Sequence, residues 1–191
     1  NKKSFYRKRL LRDLASVGAD SIPIVSVISA CTGIILALQS AQQLEKVGAI
    51  SYVANLVGVT IIRELGPLLT AIIVTGRSGA AFTAEIATMQ ISEEIDALEV
   101  MGIEPVRFLV VPKMIAMLIM VPCLTLHDVL AGLVKAGGFA VAITLIGCWQ
   151  GFLAREGAAD VGRKTTNSVV ISIFMIILLD LFFTALNFIF R

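Results

Sequence analysis

Charge is scarce in this sequence. Only 16% of its 191 residues are Asp, Glu, Lys or Arg, against about 25% in soluble globular proteins. Hydrophobic residues make up 57% and the mean hydropathy is +0.90, so a soluble globular domain is excluded. Cysteine is also sparse. Cys31, Cys123 and Cys148 lie in apolar runs without CxxC spacing, which argues against disulfides and metal sites and reads as small buried hydrophobes. The one histidine is His127. No GxxxxGK phosphate loop occurs, so any ATP and Mg must be handled by a partner, and no cofactor is expected on this chain. Ser78, within Gly76-Arg77-Ser78-Gly79, would need a base within hydrogen-bond reach to act as a nucleophile. The topology below puts His127 at the opposite membrane face, so hydrolase chemistry is not expected. Nucleic acid is not expected as a partner either.

What is present is apolar sequence enough for about five spans of about 20 residues and short connections, in one domain covering 1–191. Six basic residues, Lys2, Lys3, Arg7, Lys8, Arg9 and Arg12, crowd the first 13 positions and mark a cytoplasmic end. The first apolar span is followed by further spans and no small-residue cleavage site, which argues against a cleaved signal peptide. Around the basic residues, Phe5, Tyr6, Leu10, Leu11, Leu14 and Val17 recur near helical spacing, predicting an interfacial amphipathic helix over 4–18. Membrane spans are expected at 22–39, 53–76, 106–126, 128–152 and 168–190. The connections 40–51 and 153–167 are read as loops on the outer and inner sides.

The stretch Arg63–Pro105 organises the rest. Arg63 and Glu64 fall near the middle of the second span, where each charge costs about 2.5–3.5 kcal/mol on insertion. Each therefore needs a partner on another element. Lys135 and Asp180 are further charges inside expected spans. Depth matching suggests Arg63 with Asp180 and Glu64 with Lys135. Gly66-Pro67 permits a kink. Gly76, Gly79, Ala80 and Ala84 suit close helix packing, and the chain is expected to continue as a helix past Arg77. A short helix is then predicted over 92–101, with Ser92 as N-cap, Glu93 and Glu94 in its first turn, and Gly102 and Pro105 closing it. Ile91, Ile95, Leu98 and Met101 form an apolar stripe. Glu93, Asp96 and Glu99 form an acidic one, which reads equally as a docking face or as solvated surface.

One region resists a simple reading. Val106 to Phe152 is too long for one span, yet His127-Asp128 is the only polar punctuation at its middle, so a connecting segment is expected to be missing between Leu126 and His127.

Taken together, Arg63-Glu64-Leu65-Gly66-Pro67, Gly76-Arg77-Ser78-Gly79-Ala80-Ala81, Thr83-Ala84-Glu85-Ile86, the run Glu93 to Gly102, and Glu104-Pro105 resemble the MlaE/YrbE permeases of MCE-type ABC transporters. The likeness extends to Pro112-Lys113, Gly147-Cys148-Trp149-Gln150-Gly151 and Gly162-Arg163-Lys164-Thr165-Thr166. It implies an all-α polytopic fold with an interfacial helix, five spans and a cytoplasmic coupling helix. It further implies a homodimeric, non-enzymatic permease of the bacterial inner membrane, with a cytoplasmic N-terminus. The implied partners are a second copy of the chain, a cytoplasmic ABC ATPase, a periplasmic MCE-domain protein and lipid, mostly phospholipid. By position the ATPase-coupling residues would be Ser92, Glu93, Glu94, Ile95, Asp96, Leu98, Glu99, Met101 and Gly102. Leu36, Gln39, Leu44 and Val47 would line a lipid cavity, with Arg63 and Glu64 below it. Relatives continue the third span beyond the position of Leu126 and add an outward segment there. The alternative from another class is an ion-coupled secondary transporter using Arg63, Glu64, Lys135 and Asp180.

Overall fold

The computed structural model describes residues 2–46, 48–124, 130–155 and 157–189. Val47 and the Leu126–His127 junction lie outside the described residues, as does the side chain of Arg63. Helix α1 (Lys2–Val17) turns through Gly18–Ser21 into α2 (Ile22–Glu45). Pro23 fits in the first turn of α2 because no intrahelical donor is needed there. After a 3₁₀ turn (Ile50–Tyr52), one continuous helical rod runs from Val53 to Ile91 as α3 (Val53–Thr60), α4 (Gly66–Val74) and α5 (Ala80–Ile91). Two π-helical segments, Ile61–Leu65 and Thr75–Gly79, join these pieces. Pro67 offers no N–H to the carbonyl of Arg63, and the preceding Gly66 N–H bonds back to Ile61, the wider π step. Helix α6 (Glu94–Val100) precedes α7 (Pro105–Leu124), α8 (Leu130–Phe152) and α9 (Gly157–Ile189).

Four helical stretches are long and apolar enough to cross a membrane: Leu10–Glu45, Pro105–Leu124, Leu133–Phe152 and Gly157–Leu186. The rod through α3, α4 and α5 is the remaining expected crossing, divided by its π segments. Among the described residues every regular element is helical, and the protein is an all-α polytopic membrane protein.

Helix α8 is the centre, packing on α5, α7 and α9. A core of Val17, Val74, Phe82, Met117, Phe139, Ile143 and Ile176 ties α1, α4, α5, α7, α8 and α9 together. A second cluster of Ile86, Ile95, Leu109, Val110 and Cys148 joins α6 to α5, α7 and α8. Outside these clusters, large apolar side chains such as Ile34, Leu38, Phe174 and Leu181 face outward, as a lipid-facing surface allows. For the same reason only Cys148 is buried, whereas Cys31 and Cys123 are exposed, against expectation.

Three expected boundaries move. Helix α2 runs past Gln39 to Glu45, and the inner loop expected over 153–167 is largely the start of α9. There Asp160 accepts the Arg155 N–H at 2.9 Å and pairs with Arg163, while Thr165 and Thr166 donate to carbonyls four residues back, so this polar stretch is helical. Ser92 is not an N-cap. It closes α5 by donating to Thr88 O at 2.5 Å, and Glu93 turns the chain with φ 59° before α6 starts at Glu94. Gly102, at φ +70°, ends α6 in the left-handed turn expected of it, with the Gly102 and Ile103 N–H groups bonding back to Glu99 and Leu98.

Candidate functional site

Four sites lie along the bundle. The first is a charged cluster inside the helices. Lys135 on α8 is 5% exposed, and its ammonium donates to Glu64 Oε2 at 2.6 Å and Thr184 Oγ1 at 2.9 Å. Asp180 Oδ1 lies 3.0 Å away and pairs with the ammonium by charge, without forming a hydrogen bond. Thr184 in turn donates to Glu64 Oε2 at 3.1 Å. One cation thus sits between carboxylates from the first π segment and from α9. Glu64 and Lys135 meet as depth matching suggested. Asp180 meets Lys135 as well, and its expected pairing with Arg63 rests on a side chain outside the described residues.

The second site is a close-packed seam between α5 and α8. A Cβ on Gly79 would lie 3.0 Å from Ile143 Cγ2, and one on Gly151 only 2.7 Å from Ile86 Cβ. Small residues at these positions let the helices approach, and buried Thr83 uses the proximity: its hydroxyl lies 3.0 Å from Gly147 O and 2.8 Å from Ser168 Oγ. Of the small residues expected to pack closely, Gly76 does not, since it is exposed with open space around it.

At the third site, Lys113 on α7 is 0% exposed. It pairs with half-exposed Glu85 on α5 and lies over the Phe82 ring at 4.4 Å. Together with Ile95, which plugs α6 into the second cluster, this joins α5, α6 and α7 into one block. From that block α6 presents Glu93, Glu94, Asp96 and Glu99 outward. Beside them Val100 is 90% exposed and Met101 is 64% exposed. Leu98 is half-buried, so the expected apolar stripe divides into an inward anchor and an outward apolar patch.

The fourth site is at the opposite end of the bundle, where an open pocket of about 560 Å³ is lined by Gln39, Ser40, Gln42, Gln43, Leu44 and Leu56. Gln39 and Leu44 are thus brought together as expected. Leu36 lies further down α2, half-buried and outside the lining.

Sequence reasoning about charges passed over Lys113, although a lysine inside an apolar run carries the same signal as Lys135. Arg77 was treated only as part of a motif, yet it binds the turn between α1 and α2. Nothing in the sequence marked Thr184 or Leu56.

A membrane bundle with an intramembrane charge cluster and a protruding short helix fits a transport subunit. The family model described as Permease MlaE matches residues 10–127 and 123–186. A probable ABC transporter permease protein of Rickettsia felis is 35% identical, with 96% of this chain and 84% of the relative covered. Another from Synechocystis is 32% identical over 95% and 82% of the two chains. The chloroplast protein TRIGALACTOSYLDIACYLGLYCEROL 1 of Arabidopsis thaliana is 28% identical over 94% of this chain and 61% of its own length. The chain belongs to the MlaE permease family, a family of ABC transporter permeases.

Proposed function

We propose that this chain is the membrane subunit of an ATP-driven transporter that moves lipids, principally phospholipids, between the bacterial inner membrane and a periplasmic MCE-domain protein. In this reading two copies form the permease, with α1 and α6 on the cytoplasmic side. A separate ABC ATPase binds α6 and hydrolyses ATP, and the pocket at the other end receives lipid. The observation that carries the reading is α6 itself. Ile95 anchors it in the block formed with α5 and α7, while its acids and the apolar pair Val100–Met101 face outward. A solvated loop has no need of exposed apolar residues next to a rigid anchor, whereas a docking element needs both features. Lipid as cargo is supported by the family membership and by the name of the plant relative, which refers to a glycerolipid.

The cluster of Glu64, Lys135 and Asp180 favours a second reading, an ion-coupled carrier. The two are separated by purifying the chain with its neighbouring subunits and identifying bound lipid by mass spectrometry. The permease reading expects a stoichiometric ATPase and co-purified phospholipid. A preparation with neither, which transports alone under an ion gradient, supports the carrier.

A further inference from the structure

Among the described residues, α2 is the least anchored of the long helices. Val25 is the one buried residue in its 24, and Ile24, Val27, Ile35 and Leu38 are exposed. Midway along, Gly33 lies against Ile61, and at the far end Gln39 and Leu44 face Leu56 across the pocket. The near end is held differently. Arg77, in the second π segment, donates from Nη1 to the Ser16 carbonyl at 3.2 Å and to Ser21 Oγ at 3.0 Å. Its Nη2 pairs with Asp20 at 3.0 Å. One guanidinium therefore holds the last turn of α1, the connecting turn and the residue before α2. Gly18 lets Met120 of α7 close on the same turn, since a Cβ there would fall 2.6 Å from its sulfur.

We propose that Arg77 is a positioning residue for the pocket: its clasp sets the angle at which α2 leaves the turn, and so the separation of α2 from α3 at the other end. The lever is long. From Ser21 to Gln43 the helix spans about 33 Å at about 1.5 Å per residue, so a tilt of about 5° displaces the pocket wall by about 3 Å. A planar guanidinium can bind these three acceptors together in a fixed geometry, which a lysine ammonium does not reproduce. The inference concerns helix placement and stands whatever occupies the pocket.

The test is a pair of spin-label distances in the full chain, carrying Cys31→Ala and Cys123→Ala, reconstituted in lipid nanodiscs and diluted with unlabelled chain. Labels at Ala41→Cys and Asn55→Cys report the far end of α2 against α3. Labels at Ala81→Cys and Leu145→Cys report α5 against α8 as a reference. Arg77→Gln is expected to broaden and lengthen the far-end distribution, Asp20→Asn to do so less, and Arg77→Lys to fall between Arg77→Gln and the unmodified chain, with the reference distance unchanged throughout. An unchanged far-end distribution in Arg77→Gln overturns the proposal. Equal broadening of both pairs overturns it too, because Arg77 would then only hold the bundle together. Should Arg77→Gln fail to assemble, Asp20→Asn, which alters an exposed side chain, decides by the same criteria.

Discussion

Lys135 donates to Glu64 and Thr184 and pairs by charge with Asp180, so its removal leaves carboxylates on two other elements without that cation. Breaking a buried ion pair by deleting one partner costs about 3–5 kcal/mol. Lys135→Met should therefore lower thermal stability in detergent clearly, and adding Glu64→Gln with Asp180→Asn should recover much of the loss. Failure of the triple variant to recover stability would show that the cluster does more than satisfy its own charges. The pairing of Glu64 with Lys135 could be read from the sequence, because an intramembrane charge requires a partner at its own level. The place of Asp180 beside Lys135 could not, since it depends on how α8 and α9 are rotated against one another. Lys113 illustrates a rule applied incompletely. Buried under Phe82 and paired with Glu85, it lay inside an expected span and called for a partner on the same grounds.

Among the elements, the seam of α5 and α8 depends on absent side chains. Because a Cβ at Gly151 meets Ile86 at 2.7 Å, Gly151→Ala should destabilise the protein by about 1–3 kcal/mol through overpacking, measurable as a lower midpoint of thermal unfolding. Helix α6 makes a different prediction. Replacing Glu93, Asp96 and Glu99 with lysine reverses an exposed face and leaves Ile95 in its cluster, so ATPase co-purification should fall while the permease remains folded. Undiminished co-purification would remove the acidic face from the docking surface. The existence of α6 was legible from its periodicity and from Gly102. Its start was misread because Ser92, although a common N-cap residue, bonds backward to α5 and leaves the left-handed turn to Glu93. The first part of α9 was missed for a related reason. Gly157, Gly162 and the polar run from Arg163 to Asn167 resemble a connection, and only the bonds of Asp160, Thr165 and Thr166 show how the helix accommodates them.

For the whole molecule, scarcity of charge decided the class, since 16% charged residues cannot clothe a soluble bundle of this size. The two-ended arrangement needed the fold: α6 lies at one end, the pocket between α2 and α3 at the other, and a rod with two π segments runs between them. The π segments coincide with Arg63-Glu64 and with Gly76 to Gly79, so the points where the sequence departs from a plain apolar span are also where the helix changes its step. The central claim is that the chain moves lipid only when an ATPase drives it. The most direct measurement reconstitutes the permease with its ATPase and MCE-domain partner in liposomes carrying labelled phospholipid, without any ion gradient, and follows transfer on addition of ATP. Transfer that requires ATP and is lost on omission of the ATPase is the expected result. Transfer by the permease alone under a proton or sodium gradient, indifferent to ATP, would contradict the account.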